Sequence, residues 1–204
     1  MADCTGRSAW PARGVYFFRE LGQSRTAWPG VPRITRVGTH AVSANSRSTL
    51  WSRLRTHRGG LKGGGNHRGS IFRLHVGAAL LARDGAQLPT WGIGSSAVKE
   101  IHLAEADHEH RVSAYIGAMS VLWLDVPDEP GPESARAYVE RNAIALLSNN
   151  LSPLDRPMGD WLGLHSPYGA IRRSGLWNLN HLQRPYESGY LDVIESFVSR
   201  TRSQ

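Results

Sequence analysis

The stretch from Gly14 to Gly38, GVYFFRELGQSRTAWPGVPRITRVG, contains two runs of β-branched and aromatic residues with a long turn between them. The first run covers residues 14–19 and the second covers residues 33–38. Residues 21–32, between them, are rich in the glycine, proline and serine that are typical of turns. We therefore predict two antiparallel strands joined by this turn.

Other segments predict the remaining elements. Residues 120–126 are mostly apolar and end before a proline, which favours a buried central strand. Apolar spacing and capping residues predict helices at 46–57, 78–83, 134–148 and 190–200. Residues 70–76 fit either the start of a helix or a strand, and the strongly charged residues 100–111 are expected at the surface.

Length and composition exclude several classes of protein. The 204 residues suit one domain, and no apolar run is long enough for a membrane helix. The single cysteine, Cys4, cannot form an internal disulfide. A reducing compartment fits this cysteine usage, so we expect a cytoplasmic protein.

The positive charge of the chain is concentrated in its first third. The net charge is +7, with thirteen basic and two acidic residues among 1–75 against eleven basic and fifteen acidic residues among 76–204. Codon usage can favour arginine over lysine, but it does not account for the shortage of acids before residue 76. A high density of positive charge is expected of a surface that binds phosphates, so this charge distribution favours contact with nucleic acid.

A few polar residues occupy positions suited to chemistry. Arg53 and His57 are four residues apart, so they share one helix face beside an apolar stripe. Residues 59–69 form a loop with six glycines, and Glu140 borders the buried face of the helix predicted at 134–148. Each residue alone has an ordinary structural interpretation, and only their order along the chain is specific.

In that order the motifs resemble the GIY-YIG nuclease family, which is named after two short strand motifs. Gly14-Val15-Tyr16 is similar to the first motif. Arg36-Val37-Gly38 is similar to the second, with arginine in place of its tyrosine. Arg53 and His57 match the family's arginine and the histidine that several branches carry four residues later. The resemblance covers residues 14–150.

The later motifs of the family also have counterparts in this chain. His67 matches a histidine of the loop, and Glu140 matches the metal-binding glutamate of a helix. The family's usual last element is an asparagine some ten to fifteen residues beyond that glutamate, and Asn149 or Asn150 would fill it.

The resemblance also implies a fold and a division of the chain. The family fold is an α/β fold of the α+β type, with a small central antiparallel three-stranded sheet flanked by helices. The three predicted strands fit that count. The division is a leader at 1–13, a nuclease domain with insertions at 14–150, and a helical C-terminal extension packed on the core at 151–204.

The resemblance implies a catalytic set of Tyr16, Arg53, His57 and Glu140. Glu140 would hold one Mg²⁺ or Mn²⁺ ion, since Mg²⁺ keeps several waters and accepts a single carboxylate together with a substrate phosphate. Arg53 would stabilise the charge growing on the phosphate. Tyr16 would take a proton from the attacking water, directly or through His57. Arg36 stays protonated and cannot act as a base, so it would either hold a phosphate or keep the Tyr16 phenolate accessible by its charge.

The expected partner is DNA, most simply double-stranded DNA, and no membrane is involved. The implied branch is a stand-alone or restriction-type nuclease, and a homodimer stays open because a duplex cut needs two active sites. The residues expected to bind DNA are Arg36, Arg55, Arg58, Lys62, His67, Arg68 and Asn149.

Two functions of other classes stay open beside the nuclease. A nucleic-acid-binding module without catalysis would use the same basic face, and Arg36 is its main motivation. A protein that binds an acidic partner protein is the second. Metal-dependent cleavage would separate the nuclease from the binding module, and competition by bulk DNA would separate both from the third function.

Two segments have two interpretations each. The histidines and carboxylates of residues 102–110 suggest zinc by composition, but their spacing matches no common zinc pattern and favours a solvated face. Residues 165–181 mix arginine, aromatic residues and asparagine, and arginine and asparagine are side chains that read base edges. That segment is either a specificity element or one that packs Trp177 on the core.

Overall fold

The computed structural model describes residues 1–202 and shows an α+β fold built on a three-stranded antiparallel sheet. The strands are β1 (Gly14–Ser24), β2 (Pro32–Gly38) and β3 (Ser120–Asp125), in the order β2-β1-β3. The helices are α1 (Leu50–Arg58), α2 (Ile71–Asp84), α3 (Lys99–Gly117), α4 (Ala135–Leu147), α5 (Gly169–Ser174) and α6 (Tyr190–Arg202). The predicted fold class and the presence of three strands are confirmed. The prediction that residues 120–126 form a buried central strand is wrong, because β3 lies at an edge of the sheet and is only partly buried.

Strand β1 is central and pairs with both neighbours. Tyr16 lies opposite Gly38 on β2 and opposite Trp123 on β3. The prediction of a turn from residue 21 onward is wrong at its start, because β1 continues to Ser24, which pairs with Pro32. The register of the β1–β2 pairing shifts twice, once between Phe18 and Arg19 and once between Arg19 and Ser24.

Alternation along β1 divides the core into two layers. Tyr16 and Phe18 face one side, where they join the buried residues of α1, α2 and α3. Val15 and Phe17 face the other side, where they join α4 and α6. Successive strand residues point to opposite faces, so one short strand supplies both apolar layers.

Local capping fixes the starts of the helices on the first layer. Thr49 caps α1 through a capping box with Ser52, so this helix begins later than residue 46. Ser70 caps α2 by accepting a hydrogen bond from the Arg73 backbone N–H. Residues 71–76 are therefore the first turns of one helix that ends at Gly85 in the left-handed conformation.

Helix α3 corrects the expectation that residues 100–111 lie on a solvated face. Glu105, His108 and Glu109 are buried. Each of the two carboxylates is neutralised by an arginine, Arg68 on Glu105 and Arg73 on Glu109. Within residues 1–202, no three histidine, cysteine or carboxylate side chains are grouped as a metal site would require, which also disfavours the zinc interpretation.

Both ends of the described chain pack on the core. The Met1 amino group donates to the Gly117 carbonyl at 3.0 Å, and Trp10 stacks on Trp51 at 5.4 Å between ring centroids. The predicted leader is therefore packed and is not loose. The C-terminal residues contribute Trp161 and Trp177 to the first layer, and residues 203–204 of the predicted extension lie outside the described residues.

A helix must be both long and apolar to span a membrane. None of the helices within residues 1–202 is long and apolar enough to cross a bilayer.

We predict that Gly38→Ala destabilises the protein by roughly 1–3 kcal/mol, the usual range for overpacking a core. A Cβ at Gly38 would overlap the Tyr16 hydroxyl and ring, which are buried and cannot move aside. Urea unfolding monitored by tryptophan fluorescence measures the change. Gly131→Ala is the control, because a Cβ there meets nothing within 4 Å. Equal midpoints for the two variants would contradict the close packing of Tyr16 on Gly38.

Candidate active site

A chain of three polar side chains lies where β1 passes Gly38. The Tyr16 hydroxyl is 2.7 Å from Nε2 of His57, and Nδ1 of His57 is 2.7 Å from Oγ of Ser70. Tyr16 can lie here because Gly38, its partner on β2, has no side chain. Ser70 is fixed because it caps α2. Elements β1, α1 and α2 therefore meet at one hydrogen-bonded chain.

His57 is held in its neutral form. Neither Tyr16 nor His57 has exposed surface, at 0% each. Burial lowers the pKa of His57 well below its usual range, and the charges of Arg53 and Arg36 lower it further. A neutral imidazole has one nitrogen that accepts a hydrogen bond. When Nδ1 carries the proton, Nε2 is an acceptor for the phenol of Tyr16.

Glu140 reaches the same region from the opposite layer of the fold. It lies on α4, and its half-buried side chain approaches Thr39 just beyond the end of β2. Desolvation raises the pKa of Glu140. The positive charges of Arg36 and Arg53 and a backbone hydrogen bond from Thr39 act in the opposite direction. The same two arginines lower the pKa of His57, so the carboxylate and the imidazole share one electrostatic environment.

Arg36, at the position of the family's second tyrosine, is a buried cation with an unused donor. One guanidinium nitrogen donates to the Trp177 carbonyl at 2.8 Å, and the guanidinium carbon lies 5.6 Å from the centre of the Phe72 ring. Nε of Arg36 has no hydrogen-bond partner within residues 1–202. An unsatisfied buried donor is costly, and a phosphate oxygen would satisfy it.

Arg53 lies at the rim of this region. It is half-buried on α1, one turn before His57, and donates to the Gly69 carbonyl at 3.3 Å. The structure thus brings the four predicted catalytic residues to one end of the sheet, with Tyr16 and His57 buried and with Arg53 and Glu140 partly exposed.

The side chains at this site suit a divalent metal ion that has few protein ligands. Glu140 is a single carboxylate, with its pKa raised by desolvation, beside two arginines that would attract a phosphate. Mg²⁺ and Mn²⁺ accept one carboxylate, a substrate phosphate and water, whereas structural Zn²⁺ needs four protein ligands. Glu140 is thus a suitable ligand for the ion that the family resemblance implies.

Two of the predicted DNA-binding residues serve a different network. Nδ1 of His67 is 3.0 Å from the Glu109 carboxylate, and both atoms are buried. Arg68 makes two hydrogen bonds to the Glu105 carboxylate, at 2.5 and 2.8 Å, and its side chain is only 2% exposed. These ion pairs join the glycine-rich loop to α3, so His67 and Arg68 use their polar atoms within the fold.

The other three basic residues of α1 and the loop differ in exposure. Arg58 is buried, donates to the Cys4 carbonyl and lies 5.1 Å from the centre of the Trp51 ring. It joins α1 to the N-terminal segment. Arg55 and Lys62 are exposed, as contact with DNA requires.

Asn149 lies away from Glu140. Its amide nitrogen donates to the Ser174 carbonyl at 3.0 Å, beside the start of β2, where Arg33 donates to the Gly175 carbonyl. Glu140 instead approaches Thr39, just beyond the other end of β2. The structure therefore does not bring Asn149 to the predicted site, and its role there stays a prediction.

Sequence reasoning missed three contributors to this region. Ser70 orients the imidazole of His57, and its place before an apolar helical run was a usable capping signal. Thr39 and Trp177 contribute backbone groups toward Glu140 and Arg36. No side-chain pattern in the sequence can reveal a contribution made by backbone atoms.

We predict that stability falls as the pH is lowered from 7 to 5 and that His57 accounts for part of this loss. In the unfolded chain His57 binds a proton near pH 6.5, whereas in the folded chain its depressed pKa keeps it neutral. Protonation therefore favours unfolding in this window. His57→Gln should lower the slope of unfolding free energy against pH by up to about 1.4 kcal/mol per unit.

Urea unfolding at half-unit pH steps measures these slopes. His102→Gln, at an exposed position of α3, is the matched control. If the two variants keep the same slope as the unmodified protein, the burial of a neutral His57 is contradicted.

Comparison with known proteins supplies an independent test of the resemblance. A family model described as the GIY-YIG domain matches residues 1–204. No curated protein and no solved structure gives a significant match. The matched range includes Tyr16, Arg53, His57 and Glu140, which the fold brings together, and a domain of this type supports a nuclease-type function in general. The chain therefore belongs to the GIY-YIG nuclease family.

Proposed function

We propose that this protein is a metal-dependent endonuclease that hydrolyses phosphodiester bonds in DNA. The observation that carries the proposal is the convergence of the Tyr16–His57 pair, Arg36, Arg53 and Glu140 at one end of the sheet. A hydrogen-bonded phenol, two cations and a carboxylate are the groups that phosphodiester hydrolysis needs for proton transfer, charge stabilisation and metal binding.

The Tyr16–His57 pair would accept the proton of the attacking water. The Tyr16 oxygen takes this proton while its own proton passes to Nε2 of His57, 2.7 Å away. The water oxygen forms the new bond to phosphorus, and the bond to the leaving alkoxide breaks. The alkoxide takes a proton from solvent water and leaves a hydroxide. The imidazolium, which burial disfavours, returns its proton to the Tyr16 oxygen, and Tyr16 releases its other proton to that hydroxide, so both side chains regain their starting state.

The two arginines would bind the phosphate. Arg53, at the rim, meets the charge that grows on the non-bridging oxygens. Arg36 supplies the Nε donor that has no partner within residues 1–202. Glu140 would hold the Mg²⁺ or Mn²⁺ ion, and when bound the ion would supply Lewis-acid stabilisation of the same charge.

The substrate we propose is double-stranded DNA, and the biological setting is a stand-alone, restriction-type nuclease of the cytoplasm. The basic first third of the chain supports a polyanionic substrate. A duplex cut requires either a homodimer with two sites or two successive nicks. Discrete fragments from a plasmid digest would support sequence-specific cleavage.

A nucleic-acid-binding module without catalysis is the second candidate function. The observation that favours it is the complete burial of Tyr16 and His57, because a proton acceptor must meet the attacking water. Arginine at residue 36 also favours the binding module, since it cannot act as a second base. The nuclease proposal therefore requires that binding of DNA opens a path to the Tyr16 hydroxyl and to Nε of Arg36, which is also buried.

We predict that Glu140→Ala and Tyr16→Phe each reduce DNA cleavage at least 100-fold while leaving DNA binding within about threefold. Cleavage needs the carboxylate and the phenol, whereas binding depends mainly on the cations. Nicking of supercoiled plasmid with Mg²⁺, Mn²⁺ or EDTA measures cleavage, and fluorescence anisotropy of a labelled duplex in EDTA measures binding.

Glu133→Ala and Tyr186→Phe are the controls. Both residues are exposed, and the two substitutions remove a carboxylate and a phenol hydroxyl away from the site. If the unmodified protein binds the duplex but does not cut any substrate with either metal, the binding module replaces the nuclease. If Glu140→Ala cuts as fast as the Glu133→Ala control, Glu140 is not the metal ligand.

A further inference from the structure

Residues 165–181, which we call the β2-edge segment, cover the open edge of β2. The Trp177 backbone N–H donates to the Thr35 carbonyl at 2.7 Å. The Asn178 side chain pairs with both backbone groups of Val37, accepting from its N–H at 3.2 Å and donating to its carbonyl at 2.9 Å. An amide side chain thus satisfies a strand edge that would otherwise be unpaired.

The same segment forms one wall of the candidate site. Trp177 accepts a hydrogen bond from Arg36 at 2.8 Å, and its carbonyl also lies 3.4 Å from Nδ1 of His75. The Tyr168 ring lies 4.8 Å from the His75 ring. The interpretation that this segment packs Trp177 on the core is confirmed, because Trp177 is completely buried in the first layer.

The outer face of the β2-edge segment is cationic. Within the short helix α5, Ile171 and Ser174 are buried, whereas Arg172 and Arg173 are exposed. No acidic residue occurs from residue 161 to residue 186, although acids are frequent elsewhere in the second half of the chain. Nothing nearby in the sequence therefore neutralises the two arginines.

Both arginines also have guanidinium N–H groups without a hydrogen-bond acceptor among the described residues. The Arg173 side chain makes no hydrogen bond or ion pair with any other described residue, and Arg172 uses one nitrogen on the Ser166 carbonyl. Tyr168, immediately before α5, is 36% exposed, although its ring packs against His75. Exposed guanidinium groups with free donors are typical of surfaces that bind the phosphates of nucleic acid.

We propose that the β2-edge segment is a DNA-binding surface continuous with the site, with Arg172 and Arg173 on backbone phosphates away from the scissile bond. This inference rests on the proposed nuclease function. It assigns DNA contact to a part of the chain outside the basic first third. Because α5 is joined through Trp177 to Arg36, phosphates held there would fix the position of the duplex relative to Arg36.

The test is the salt dependence of binding by Arg172→Gln/Arg173→Gln. Loss of two phosphate contacts should weaken binding of a labelled duplex about tenfold near physiological salt and reduce the slope of log K against log salt by about 2. Arg172→Lys/Arg173→Lys keeps both charges and should keep the affinity within about threefold.

Arg83→Gln/Arg111→Gln is the matched control, because these exposed arginines pair with Asp84 and their loss changes the net charge equally. If the unmodified protein binds and cuts DNA but the two glutamine variants weaken binding equally, the proposed role of Arg172 and Arg173 is overturned. The proposal of a nuclease is then unaffected. If the unmodified protein neither binds nor cuts DNA, the proposed function fails and the proposed role of Arg172 and Arg173 fails with it.

Discussion

The fit of Tyr16 against the bare backbone of Gly38 is the contact on which the site depends. A side chain at Gly38 would displace the phenol from His57, and the chain that continues to Ser70 would be lost. The backbone of His57 is held as well, because the buried guanidinium of Arg73 donates to its carbonyl at 3.0 Å. One missing Cβ thus allows β1, α1 and α2 to meet around a neutral imidazole.

The second constraint is that the residues of the site come from both faces of a narrow, three-stranded sheet. Tyr16 and His57 belong to one layer, and Glu140 comes from the other and approaches around the end of β2. Only a small sheet permits this, because a wider one would keep the two layers apart. The edge of β2 is then closed by the side chain of Asn178 and not by a fourth strand. That closure places Trp177 beside Arg36.

The sequence predicted the parts of this arrangement that depend on short-range pattern. All three strands, the capped start of α4 and the approach of Arg53 and His57 follow from residues that are close in the chain. The burial of Glu105 and Glu109 could not be predicted, because their arginine partners lie 36 or 37 residues away and make a charged segment compatible with a core. Backbone contributions, such as that of Trp177, leave no compositional signal. Family resemblance supplied the roles of the site residues, and the geometry then separated those that converge from those, such as Asn149, that do not.

In the proposed site, Tyr16, Arg53, His57 and Glu140 together bind a scissile phosphate and its metal ion. Anomalous diffraction from Mn²⁺ in crystals of the Tyr16→Phe variant with an uncleaved DNA duplex would test this arrangement. We expect one strong peak within coordination distance of the Glu140 carboxylate, with a DNA phosphate between that peak and residue 16. A manganese peak on other carboxylates, or a duplex whose phosphates all lie away from Glu140 and Arg53, would contradict it.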